Sequence, residues 1–258
     1  VVSGCTDNTF IGHAVADASL TNGADYNTGV GGSALGSLTS GYSNVAVGFQ
    51  ALVTNTDGFQ NTAIGTSALY YNLGTDNNTA VGDQAGMYTT GASNTYVGQA
   101  AGKGASGAES NNVGVGANAL LAITSATYNT SVGSGSGDAL TTGAFNTSIG
   151  AVSLSTATTA LNNTAIGFNA MSDVKAGVAV DGCVAIGKGA LVGNANNTTG
   201  INNTVAVGTS ALADLTSGGS NTAVGFEAGT NVTTGGLNTF VGYLSGHGLD
   251  GSAPLTGA

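Results

Sequence analysis

One short phrase, Asn-Thr-small-Val/Ile-Gly, recurs from one end of the chain to the other and fixes what the chain can fold into. It ends at Gly12, Gly31, Gly48, Gly65, Gly82, Gly98 and Gly116, and again at Gly133, Gly150, Gly167, Gly187, Gly208, Gly225 and Gly242. Eight of the 13 intervals between these 14 glycines are 17 residues, so the period is structural and the longer intervals are insertions. The residue before each Gly is Val or Ile in all 14 copies, and the residue two positions earlier is always Thr or Val. The position between them is Ala, Gly or Ser except at Phe10, Tyr96 and Phe240. Asn stands four before the Gly in 12 copies, with Cys183 and Thr204 as the exceptions. Ala or Ser follows three after the Gly everywhere but Val15, and Leu or Gly usually comes next.

β-branched residues at alternate positions predict a three-residue strand with one apolar face and one small or polar face. The Gly that closes it suits a bend or a positive φ. Strand, bend, second stretch and turn within 17 residues are too short for a helical repeat and too short for a propeller blade. They fit one coil of a β-solenoid. The predicted fold is therefore all-β, a parallel β-solenoid or β-roll of about 14 coils spanning 1–258 as one repeat domain, with a short tail at 249–258. At roughly 4.8 Å per coil the stack would be on the order of 65 Å long, with the Asn column forming a ladder of side-chain amides. A low-complexity linker would not hold Val or Ile in register through every copy.

On this reading the Val/Ile and Thr/Val columns supply the apolar interior, and the Ala, Gly and Ser face lies outside. Such a core is thin and needs outside help. Small outer residues permit close approach, so side-by-side packing in threes is expected. The first motif begins at Asn8 and only a tail follows the last, so the chain is expected to be part of a longer fibre or to continue end to end with copies of itself.

Asn61 to Gly86, NTAIGTSALYYNLGTDNNTAVGDQAG, resembles the NTAxGxxAL repeats of bacteriophage tail-fibre proteins. It is also similar to the head repeats of trimeric autotransporter adhesins. The adhesin resemblance implies a left-handed parallel β-roll, trimerised through its coils, that binds host surfaces.

Composition narrows the partners. Three Lys, no Arg and 13 acidic residues give a net charge of −10, which leaves no means of neutralising a nucleic-acid backbone. No run of about 18 apolar residues occurs, so membrane insertion by a helix is not expected. Gly is about one residue in six and Pro is nearly absent, which excludes collagen.

No residue draws a catalytic, cofactor-binding or metal-binding assignment. His13 and His247 lie near opposite ends of the repeat array and read as solvated turn residues. The acidic residues, Glu109 among them, fall at scattered repeat positions rather than the fixed one a calcium-binding roll requires. Cys5 and Cys183 are about ten coils apart, too far for an intrachain disulfide. They are expected as buried thiols or in a bond between subunits, with Cys183 a packed substitute in the Asn column. The insertions around Met171–Lys175 and Leu191–Ile201, which bring Lys175 and Lys188, are the expected recognition loops.

The function expected from these readings is a structural fibre or adhesive shaft, extracellular, at a cell surface or on a virion, and not an enzyme. Its expected partners are copies of itself and a cell-surface glycan or receptor. A self-assembling microbial filament is the first alternative. An ice-binding solenoid is the second, weakened by the expectation that the Thr column points inward.

Overall fold

The computed structural model describes residues 5–105, 107–174, 177–178, 180–193 and 199–247. The chain divides into two compact units, Val1–Thr127 and Tyr128–Ala258. The first holds strands β1 (Thr9–Ile11), β2 (Thr28–Val30), β3 (Val45–Val47), β4 (Thr62–Ile64), β5 (Thr79–Val81), β6 (Thr95–Val97) and β7 (Val113–Val115). The second holds β8 (Thr130–Val132), β9 (Thr147–Ile149), β10 (Thr164–Ile166), β11 (Val184–Ile186), β12 (Val205–Val207), β13 (Thr222–Val224) and β14 (Thr239–Val241). Each strand is the three residues ahead of a motif Gly. Within each unit the seven strands follow one another in chain order as a parallel sheet, which is a β-solenoid with one strand per coil. Register is strict: Thr62 pairs with Thr79, Ala63 with Ala80 and Ile64 with Val81, and every pairing within the units follows the same columns.

The two faces of the strand are the reverse of the sequence expectation. In β2 to β14 the middle residue is buried, while the β-branched residues on either side are half-buried or exposed. Ile64 is 40% exposed and Val241 68%. Ala46, Ala63, Ala80, Ala165, Ala185, Ala206 and Ala223 face the interior instead. The reason is width. A coil of about 17 residues encloses a narrow channel, and the Leu five residues beyond the strand already fills it. Leu35, Leu52, Leu69, Leu120, Leu154, Leu191 and Leu212 are all fully buried, so only a small side chain fits opposite them. The small residues are therefore packing partners of Leu within the coil, not a seam for neighbouring rods.

The aromatic exceptions support this account. Tyr96 sits at the middle of β6 and is fully buried, and the Leu column beside it holds Gly86 and Gly102. A methyl group at Gly102 would overlap the Tyr96 ring, and one at Gly86 would lie 3.1 Å from it. Phe240 in β14 is matched in the same way by Gly246 and Gly229. At these two positions the added ring volume is matched by lost side-chain volume in the Leu column.

Stacking of coils is carried by the backbone. The motif Gly has φ between 121° and 141°, and a Cβ at Gly65 would overlap the Gly82 carbonyl of the next coil. Positive φ also extends well beyond glycine. In the coil around Gly65, Gln60, Ser67 and Leu69 have φ of 55°, 53° and 50°, and the same three positions are left-handed in coil after coil. Each non-Gly residue there costs about 1–2 kcal/mol. The return is that the N–H groups of these left-handed residues point along the stack, some to the preceding coil and some to the following one. Ser67 N donates to Phe49 O of the preceding coil at 2.9 Å, and Leu69 N to Ala85 O of the following coil at 3.0 Å. Backbone polar groups that the short coil pairs only in part with itself, as in Ala68 N to Gly65 O, are thereby satisfied by its neighbours.

Candidate functional site

The Asn column forms the expected amide ladder, buried along one side of the coil. Asn61 shows its chemistry. Its Oδ1 accepts the Asn78 backbone N–H at 2.9 Å, and its Nδ2 donates to Asn44 Oδ1 at 3.2 Å and Thr75 O at 2.7 Å. The pattern repeats through Asn27, Asn44, Asn78, Asn94 and Asn112 in the first unit, and through Asn129, Asn146 and Asn163 in the second. Cys183 interrupts it as a packed substitute: its N–H donates to Asn163 Oδ1, and its thiol donates to Ile201 O at 3.2 Å. Burial pushes that thiol up to about 11. Thr204, next in the column, is buried with its hydroxyl unpartnered. Both cysteines are free thiols, and Cys5 donates to Thr21 O at 3.0 Å.

The outward face of each sheet is uniform in residue type. Thr or Val lies on one side of the strand and Val or Ile on the other, in all 14 strands, with no charged residue among them. The middle, core-facing position is more varied. Beyond this face, aromatic rings that are exposed or half-buried stack from coil to coil. Tyr42 lies on Phe59 at 4.9 Å, Tyr71 on Tyr88 at 5.0 Å, Tyr128 on Phe145 at 5.2 Å and Phe226 on Tyr243 at 5.4 Å, all nearly parallel.

Among the described residues, a serine cluster and a buried acid break the apolar interior. In the second unit Ser131, Ser136, Ser148 and Ser153 join into one cluster, with Oγ–Oγ distances of 2.7, 2.9 and 3.0 Å. Each hydroxyl finds a partner, so the cluster is a substitute for apolar packing in coils that carry Ser at the middle of the strand. In the first unit Glu109 is almost wholly buried near Tyr96 and Thr89. Glu109 Oε2, Tyr96 Oη and Thr89 Oγ1 make no well-formed hydrogen bond, and only weak polar contacts, Thr89 with Glu109 and Asn112 with Tyr96, stand in for one. Burial pushes the Glu109 carboxyl up to about 8, against weaker opposing hydrogen bonds to itself and around Thr89. It holds the Tyr96 hydroxyl up as well, with Glu109 adding to the effect. The group is therefore a neutral acid at pH 7. In sequence Glu109 is one of the scattered carboxylates. Its column was the signal: it stands three before Asn112, where other coils place Gly41, Gly58, Gly91, Gly143 and Gly218.

His13 is exposed, and His247 is exposed beside Glu227 at 3.6 Å in the second unit. Met171 does not belong to a protruding loop. It is fully buried in the Leu column, and Val174, Val180, Leu191 and Ile201 are buried too, so both insertions are anchored by apolar residues at their ends. Lys188 is exposed directly after a motif Gly. Lys175, residues 194–198 and the tail at 249–258 lie outside the described residues. Among the described residues no three His, Cys, Asp or Glu form a group able to hold a metal ion, and no helix is long and apolar enough to cross a membrane. No protein-family model matches the chain, and no curated protein or solved structure matches it.

Proposed function

We propose that the chain is a structural fibre or adhesive shaft, extracellular, at a cell surface or virion-borne, that works by its scaffold and not by catalysis. The observation that carries this reading is the coil-to-coil ladder. Backbone hydrogen bonds join coil to coil within both units, reinforced by Asn side chains wherever the column holds Asn, so residues are committed to a stack rather than to a shaped cleft. Copies associate laterally, in threes, through the exposed ring stacks, because aromatic side chains are the usual anchors of protein interfaces. A cell-surface glycan or receptor is the expected attachment partner.

Sedimentation equilibrium and cryo-microscopy of the full chain test the reading. Threefold bundles or longer fibres at micromolar concentration are expected, weakened by Tyr128→Ser with Phe145→Ser. A species that stays monomeric up to high concentration would overturn it. End-to-end stacking without lateral bundles would instead support the self-assembling filament.

A further inference from the structure

We infer that the outward sheet face of each unit is a binding surface for ice. The inference stands on the geometry of that face alone and goes beyond the fibre reading.

The face is two files of side chains. In both units Thr occupies five of the seven positions of the first file, including the runs Thr62-Thr79-Thr95 and Thr130-Thr147-Thr164, and Val fills the rest. Val or Ile occupies every position of the second file. All the strands are parallel and in strict register, so like side chains repeat at the strand spacing of about 4.8 Å along the stack. The two files are two residues apart on a strand, roughly 6.6 Å. Seven strands extend this pattern over roughly 29 Å in each unit. The result is a rigid two-dimensional grid of hydroxyls and methyls.

Uniformity is what needs explaining. The core-facing position tolerates Gly, Ala, Ser, Phe and Tyr, whereas the outward positions accept only β-branched residues, although the core does not dictate their choice. A face meant only for bulk water would carry Lys or Glu, as exposed strands commonly do. A face meant for a protein partner would carry Tyr, Trp, Met or Arg, and Thr and Val are poor anchors. A partner would also bury five Thr hydroxyls in each unit against a smooth ladder, with nothing to pair them or fix the register. Ice answers each point. Its surface is itself a repeating lattice, with oxygen spacings on low-index planes close to those of the grid. Thr hydroxyls can hold ordered water at those spacings, and the γ-methyls of Thr, Val and Ile offer shallow apolar pits between them. The coil hydrogen bonds keep the grid rigid, so little ordering remains to be done on contact.

The test uses the full chain, with thermal hysteresis, ice-crystal shaping and partition into a slowly growing ice hemisphere as readouts. Thr79→Lys with Thr147→Lys places one charge on each face, and Ser125→Lys, on an exposed turn, is the control. The unsubstituted chain and the control are expected to shape ice, produce hysteresis and enter the growing ice, and the double variant is expected to lose most of all three. Far-UV circular dichroism checks folding. If the Lys variant is not folded, Thr79→Tyr with Thr147→Tyr, which keeps strand propensity, replaces it and is expected to lose activity in the same way. Absence of ice activity in the unsubstituted chain, or full activity in a folded face variant, overturns the inference. An oligomer that the face substitutions dissolve also overturns it, since the face would then be occupied by a second copy.

Discussion

Ionising Glu109 should open the coils around it, and the size of the effect follows from its burial. An acid held up to about 8 in the folded chain, against an ordinary 4.5, keeps its proton through the whole interval in which the unfolded chain loses it. Folded protein then binds more protons than unfolded, so stability falls as pH rises. The contribution is fully favourable below about pH 4.5, declines between there and about pH 8, and is level above. At about 1.4 kcal/mol for each tenfold change in proton affinity, the ceiling is about 5 kcal/mol. Relaxation and water entry should reduce that to roughly 2–4 kcal/mol. The perturbation is Glu109→Gln, which keeps shape and removes the titration. The assay is urea unfolding from pH 4 to pH 9, joined to amide exchange at Asn94 and Asn112, because repeat arrays open locally before they unfold globally. The two proteins should be similar at pH 4, and the variant should be more stable by the stated amount at pH 9. Asp138, raised by its own burial, remains in both and cancels in the comparison. Parallel curves, or a parent chain that gains stability through this interval, would refute the buried neutral acid.

Three further outcomes are expected. Gly65→Ala combines a φ of 135° with overlap on the Gly82 carbonyl, so it should lower stability by more than about 3 kcal/mol in thermal or urea unfolding. Thr204→Asn should raise stability by about 1–2 kcal/mol by the same measurement, since an amide there can meet the Asn221 N–H and remove an orphaned hydroxyl. Val152→Asn should add roughly 0.5–1 kcal/mol, because Val152 is β-branched at a φ of 57° while Asn118 and Asn169 already occupy equivalent positions.

Period, strand position, parallel stacking and the Asn ladder were all legible in the sequence because each is one residue type repeated at one spacing. Which way the strand faces was not. Alternation of Val with Ala is symmetric, and the usual preference for burying the larger residue favours Val inside. The deciding quantity was channel width, set by Leu69 and its equivalents in a different part of the coil. The left-handed Leu, Ser and Gln residues were hidden for a related reason. Their conformation is dictated by hydrogen bonds to neighbouring coils, and local propensity argues against it. That inversion also removes the objection to an outward Thr file. Glu109 could have been found by asking what a long acid does in a column of glycines.

The direction of the hydrogen bonds sets how the scaffold carries load. They run along the stack, from coil to coil, so tension along that direction opens one interface at a time and does not shear many together. Each coil freed releases about 17 residues of chain, close to 58 Å when extended, in exchange for one strand spacing. Every strand pairing also closes over that same short separation, so a freed coil has only a short search before it can redock on the edge left behind. A stack built in this way stretches by steps and recovers by steps.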